Sequence, residues 1–461
     1  MSTIFIFRRD LRIYDNLGLD YAMKNFKNVI PIFIFTPEQI TKKNKFKSEN
    51  AIQFMIESLK NLDKKMKKHK SKLHIFYGEN KKVINNICEN FDVENIVTNK
   101  DYTPYAIKRD DDLSKLCKSR NINFYNPEDY LLLPVGTIKK KDESIYTVFT
   151  PFRNKGFKFT IEKPLKKYIK NLSKLSKSEI KNLNFYSDYP KHNINSNLIV
   201  KGDRKIATKV LKNLKKFNNY NEDRNQLSLR STLLSAYIKF GLISIREVYW
   251  CFRDNLGTDN SLISQLFWRE FYYYIAYYFP FVLKGDNYNS KYDNLKWNND
   301  KKLFDKWCLG ETGYPVVDAG MRELNKTGYM HNRARLITAN FMNRMLGLDW
   351  RLGEKYYASK LTDYDPSVNN GNWQWIASTG VDPKPYFQRL FNPWIQSKKF
   401  DKDANYIKKW IPELKNIPSK ELHQWDKYCD NYDLKKINYY EPVVNYKNAR
   451  KKSIDMYRQV L

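Results

Sequence analysis

The sequence predicts a two-part fold: an α/β, Rossmann-like parallel-sheet domain at the N-terminus and an all-α domain behind it. Three observations predict this. Short β-rich runs alternate with helical periodicity through the first 130 residues, the strand signal largely disappears from residue 201, and a polar, lysine-rich stretch from about 160 to 200 separates the two regimes. The expected divisions are 1–130 for the sheet domain, 131–200 for a connector wrapped on the surface, and 201–461 for the helical domain.

In chain order, "TIFIF" (3–7), "NVIPIFIF" (28–35), "LHIFYG" (73–78), "ENIVTN" (94–99) and "INFYN" (122–126) read as strands, because β-branched and aromatic residues suit a pleated, packed surface. Between them, "ENAIQFMIESLKNLDKKMKKH" (49–69) carries apolar residues at three- and four-residue spacing, and "YAIKRDDDLSKLCKSR" (105–120) does so more weakly. Helices in those places make the strands parallel. Many such sheets seat a dinucleotide on a GxGxxG turn after the first strand, but "RRDLRIYDN" stands there, so any dinucleotide must be held elsewhere. After residue 201, helical periodicity, many aromatics and the turns "LGETGYP" and "NNGN" predict helices throughout.

Composition bounds the function. Hydrophobic residues make up 42% of the 461 and aromatics 15%, which excludes general disorder. No apolar run approaches the roughly 20 residues that span a bilayer. The N-terminus puts its apolar run ahead of its arginines, the reverse of a secretory signal, so a soluble intracellular protein is expected, with no membrane partner. Five scattered cysteines without a CxxC pair and five histidines without an HxxxH cluster predict no metal site and no disulfide framework. The net charge of +32, from 82 Lys and Arg against 50 Asp and Glu, points to a polyanion, nucleic acid foremost, although lysine mixed with asparagine also reads as solvated faces.

Four segments carry chemistry. "RNQLSLRSTLLSAYIKFGLIS" (224–244) sets Ser231, Thr232 and Ser235 ahead of, or inside, a first helical turn, either a phosphate seat or a plain cap. In "SQLFWREFYYYIAYYFP" (264–280), Gln265, Trp268, Arg269 and Tyr272 share adjacent helical faces and could line a pocket for a planar ligand; the alternative is a core aromatic stripe. "TGYMHNRARLITANFMN" (327–343) places Arg333 and Arg335 two apart, one able to face a cofactor and the other solvent or DNA phosphate; His331 reads as structural. "LTDYDPSVNNGNWQW" supplies Asp363 and Asp365, suited to a metal or to accepting hydrogen bonds, then Asn369, Trp373 and Trp375. The two indoles, two residues apart, point to roughly opposite sides and need separate jobs.

With "TIFIFRRDLRIYDN", "WREFY", "TGYPVVDAGMREL", "MHNRARLITANF", "DWRLGEKYYA", "NNGNWQWIASTG" and "PYFQRLFNPWIQSKKFD" in this order, the chain resembles the photolyase and cryptochrome family over nearly its whole length. The resemblance implies an antenna domain followed by a helical domain that binds FAD and repairs ultraviolet-damaged DNA with blue light, most like a class I cyclobutane pyrimidine dimer photolyase. It implies that Tyr220, Ser231, Thr232, Leu233, Leu234, Ser235, Arg269, Asn332, Arg335, Asp363 and Asp365 hold FAD, and that Asn369 faces the flavin's reactive nitrogen, where a neutral amide tolerates an anionic reduced ring. It further implies that Trp373, Trp350 and Trp297 form an electron relay to the surface. Trp268 and Trp375 would clasp the flipped lesion, with Gln265 and Asn332 beside it, and Arg224 and Arg333 would grip flanking phosphates.

Gln265 stands where cyclobutane enzymes usually carry glutamate and is similar to the residue of six-four photolyases and animal cryptochromes. Six-four repair is associated with two histidines, however, and Asn332 and Leu336 occupy the matching positions, so its proton donor is missing. A glutamine N–H still serves a thymine carbonyl, which keeps cyclobutane repair ahead. The alternatives are a blue-light receptor without repair activity and a basic DNA-binding module. A second antenna chromophore is expected to be of open identity. The expected state is a monomer without an obligate protein partner, in the cytoplasm at the nucleoid, or in the nucleus of a eukaryote.

Overall fold

The structure is a computed structural model that describes residues 2–382 and 385–460. Strands β1 (Ser2–Phe7), β2 (Val29–Phe35), β3 (His74–Tyr77), β4 (Val93–Thr98) and β5 (Asn123–Tyr125) form one all-parallel sheet in the order β3-β2-β1-β4-β5. All five lie where the β-rich runs predict them, and the helices Glu49–Lys67 and Pro104–Ser119 fall in the two periodic segments. Pro31, which cannot donate to a ladder, sits one residue before β2 begins to pair with β3.

The alternation of side chains along β1 and β2 divides the two faces by residue type. Phe5, Phe7, Phe33 and Phe35 point to one face and join Phe54, Tyr237, Phe240 and Leu242 in the largest apolar cluster. Ile4, Ile6, Ile32 and Ile34 point to the other and pack on Val83, Ile87, Leu113 and Cys117 of the covering helices. The phenylalanine face is therefore the one that carries the helical part of the chain.

The loop after β1 tightens that junction. The Leu11 amide donates to the Phe240 carbonyl at 3.0 Å, and Gly241 (φ +65°) approaches so closely that a Cβ there would lie 2.2 Å from the Arg9 carbonyl oxygen. Beneath it Arg12 and Arg246 share the buried Asp129, and Arg246 also reaches Asp15. The polar stretch that leads away from the sheet lies along its β3 edge: the Tyr77 amide donates to the Phe185 carbonyl at 2.8 Å and Ser187 to Ile75 at 3.0 Å. An otherwise unpaired edge is thereby covered. His74, pushed down to about 4 by burial, accepts there from the Leu175 amide.

Beyond residue 201 the described residues form helices. Four of them build the site: α1 (Ser261–Tyr278), α2 (Asn332–Asn340), α3 (Trp350–Lys360) and α4 (Pro366–Ala377). The helix expected after Ser231 is short, Ser235–Lys239, because the chain must turn at Gly241 to clear the β1 loop. Among the described residues no helix is long and apolar enough to cross a membrane.

Candidate active site

Four chain segments that are separate in sequence surround one cavity of about 560 Å³, within the range that small-molecule and cofactor sites occupy. Its lining includes Tyr220, the whole run from Ser231 to Ser235, Gln265, Trp268, Arg269 and Tyr272 of α1, Asn332, Arg333 and Arg335 of α2, and Asp363, Asp365, Asn369, Trp373 and Trp375 in and before α4. Arg224 stands in the same wall. Of the site residues the sequence singles out, only Trp297 and Trp350 lie away from it.

The two aspartates are held by donors rather than paired with one another. Asp363 accepts from Arg335 Nη2 at 2.9 Å and from the Ser235 hydroxyl at 2.7 Å. Asp365 caps α4, accepting from the Ser367 amide at 3.1 Å, and its second oxygen takes bonds from Arg9 and the Tyr273 hydroxyl. Arg9 comes from the loop after β1 and lies 4.3 Å over the Tyr130 ring, so the sheet domain reaches the back of the cavity wall. Arg269 bonds Glu270 at 3.1 Å and the Tyr130 carbonyl at 3.0 Å, and burial pushes Glu270 up to about 7 in spite of that neighbour. Arg335 also donates to the Met330 carbonyl, whereas Arg333 turns to Asn225 Oδ1 at 2.5 Å and covers the Phe400 ring. The two arginines thus take separate partners on the same cavity. His331 is buried, caps α2 through Nδ1, and is pushed down to about 4 by burial and Arg335.

Helix α4 carries Asn369, whose Nδ2 donates to the Glu354 carbonyl at 3.1 Å. Trp373 is 2% exposed, in edge contact with Tyr357 (4.9 Å) and Trp307 (6.3 Å). A Cβ at Gly353 would lie 2.1 Å from its ring, so glycine one turn after Trp350 lets α3 lie directly on the indole. Trp350 is fully buried and donates Nε1–H to Asn287 at 3.0 Å, and Trp297 is half-buried beside Tyr457, next to the bridge Asn298↔Leu348 that leads into α3. Trp268 lies flat on Phe149, ring centroids 3.6 Å apart.

The cavity wall also holds residues to which the sequence assigns no role. Lys239, in the short helix behind the hydroxyl run, is pushed down to about 7 by burial and by Arg9. Tyr329, Tyr364, Asn372 and Phe391 also line it. Phe149, Asp382 and Arg389 brace the tryptophans from outside it. No local pattern distinguishes the bracing side chains: Phe149 meets Trp268 and Asp382 across more than a hundred residues of sequence, and Asp382 and Arg389 reach Trp375 from the segment that follows α4.

An arginine–carboxylate pair, a run of hydroxyls and an amide in one cavity suit a ligand with phosphates, polyol and a planar ring, which fits a flavin dinucleotide. Residues 3–167 match the family model described as DNA photolyase, and residues 262–459 the model described as FAD binding domain of DNA photolyase. The deoxyribodipyrimidine photo-lyase of Buchnera aphidicola from Acyrthosiphon pisum is 35% identical, over 98% of this chain and 96% of its own. An archaeal photolyase from Sulfolobus tokodaii, solved with two FAD molecules, superposes with a TM-score of 0.84 at 38% identity and covers 100% of both chains. A class III photolyase from Agrobacterium tumefaciens gives a TM-score of 0.84 at 30% identity over 100% of this chain and 97% of its own. From the sheet to the last helix, the chain belongs to the DNA photolyase family.

Proposed function

We propose that this protein is a deoxyribodipyrimidine photo-lyase of the class I type, which binds ultraviolet-damaged DNA and splits cyclobutane pyrimidine dimers with blue light. The observation that carries the reading is that one cavity gathers both sets of groups the reaction needs. Asp363, Arg335, Ser235, the rest of the hydroxyl run, Tyr220 and Asn369 would hold FAD. Gln265, Trp268, Trp375 and Asn332 would hold a flipped dimer against it, with Arg224 and Arg333 on the flanking phosphates. Bound and reduced, FAD supplies the light-excited electron that opens the cyclobutane ring.

The chain's own residues do the rest. Trp268 and Trp375 present aromatic faces, and their closure on the dimer excludes water. Gln265 donates an amide N–H to a pyrimidine carbonyl without having to be protonated. Trp373, Trp350 and Trp297 carry electrons inward from the surface. The sheet domain, 1–130, is the antenna unit, joined through 131–200 to the catalytic unit, 201–461. The two FAD molecules bound by the Sulfolobus tokodaii photolyase support a second flavin as the antenna pigment here. The protein works as a monomer on DNA and, with its net charge of +32, binds it in a salt-dependent way. The test is blue-light repair of oligonucleotides that carry a cyclobutane dimer or a six-four product, by wild type and Gln265→Glu. Reversal of the cyclobutane lesion alone supports the reading, reversal of the six-four product reassigns the lesion, and reversal of neither by fully reduced protein hands the fold to a light receptor.

A further inference from the structure

The two indoles at the lesion end of the cavity are backed by different parts of the chain, and one side chain joins the two backings. Trp268 has one face covered by Phe149, which lies parallel to it with centroids 3.6 Å apart. Trp375 has one face covered by Arg389, whose guanidinium carbon is 3.8 Å from the ring, and Arg389 also bonds the Trp375 carbonyl. Asp382 bridges these pairs. Its Oδ1 accepts from the Phe149 amide at 3.1 Å, and its Oδ2 accepts from the Trp375 indole N–H at 3.2 Å. Its own amide donates to the Thr147 carbonyl at 2.8 Å, and its carbonyl accepts from Arg389 Nη2 at 2.5 Å. Asp382 makes all four bonds from a left-handed backbone (φ +54°), which non-glycine residues adopt at a cost that surrounding bonds offset.

We propose that Asp382 is a positioning residue for lesion recognition: by tying the support of Trp268 and the edge of Trp375 to one anchor, it fixes the separation of the two indole faces and so selects a flipped, covalently joined pyrimidine pair over ordinary bases. The proposal rests on the dimer-repair reading. A carboxylate suits the place because both neighbours are donors and it accepts at both oxygens, whereas an amide accepts at one only. Asp382→Gly removes both acceptors and suits the left-handed backbone. Asp382→Asn also tolerates that backbone but turns an NH2 towards one of the two donors.

Two measurements separate this from the repair reading. The first needs no DNA: ¹⁹F spectra of the FAD-loaded protein labelled with 5-fluorotryptophan, with Trp375 and Trp268 assigned by their Phe variants. In Asp382→Gly both resonances move while that of the fully buried Trp425 stays. The second is affinity for an oligonucleotide with one cyclobutane dimer, against its undamaged twin. Asp382→Gly loses about tenfold for the dimer and nothing for the twin, and the loss falls on KM rather than kcat. Asp382→Asn behaves likewise, but costs little in a Trp375→Phe background, where the indole donor is gone and the amide oxygen can serve Phe149 alone. Unmoved resonances, movement of Trp375 alone in Asp382→Gly, or an equal loss on both oligonucleotides overturns the assignment. A wild type that binds both oligonucleotides alike defeats the repair reading and the selection with it, whereas normal wild-type discrimination that survives in Asp382→Gly defeats Asp382 only.

Discussion

Glu354 gives the sharpest electrostatic prediction. It lies on α3 one turn after Trp350, 7% exposed, its backbone carbonyl bound to Asn369, and burial pushes its carboxyl from 4.5 up to about 7. In the unfolded chain the group ionises near 4.5, in the folded protein near 7. The stabilisation is therefore complete below about pH 4.5 and is lost as pH climbs through 7. At about 1.36 kcal/mol per pH unit, that gap costs the folded state about 3 kcal/mol at pH 8. Glu354→Gln keeps the shape and cannot ionise. Urea unfolding, followed by tryptophan emission, should show the variant level with wild type at pH 4.5 and about 3 kcal/mol more stable at pH 8. Glu270 and Asp401, pushed up to about 7 and about 6, give slopes of the same sign but are present in both proteins and cancel. A stability difference that is the same at both pH values refutes the reasoning, since the carboxyl would then ionise in the fold at no cost.

Trp373→Phe should slow light-driven reduction of the bound FAD while repair by chemically pre-reduced enzyme stays at the wild-type rate; normal photoreduction in that variant removes Trp373 from the relay. Asp129→Asn takes away the carboxylate that Arg12 and Arg246 share, and leaving two guanidiniums short of a counter-charge in a buried junction costs about 3–5 kcal/mol. An unchanged urea midpoint counts against that network as the lock between sheet and helices. Arg333→Ala should weaken binding of damaged and undamaged DNA alike and lower the slope of log affinity against log salt by about one. A loss confined to damaged DNA would make Arg333 a reader of the lesion instead of a phosphate contact.

The sheet was legible because the information is local: five runs rich in Val, Ile and Phe, separated by helical periodicity, specify parallel strands whatever the rest of the chain does. Most of the cavity was legible for a related reason, since its polar lining comes from the four segments that the sequence singles out for their chemistry. What stayed hidden are the meetings between them. Nothing near Arg9 in sequence says that it ends on Asp365, nothing near Phe149 that it lies on Trp268, and nothing in "SAYIKFG" that Lys239 loses its water to a cavity wall. The tryptophans of "NNGNWQW" show the limit most clearly. A spacing of two residues on a helix is a turn of about 200° one way but about 160° the other. On α4, Val368, Asn369, Asn372 and Ile376 fill that narrower arc and all line the cavity, so Trp373 and Trp375 do not serve opposite surfaces but stand at the two edges of one broad wall. Geometry then separates their duties: Trp373 is sealed against Tyr357 and against Gly353 of α3, the helix that Trp350 begins, and Trp375, partly exposed, is braced by Arg389 and Asp382. Helical periodicity places both indoles correctly, but only the width of the cavity, a property of four helices together, decides whether they share it.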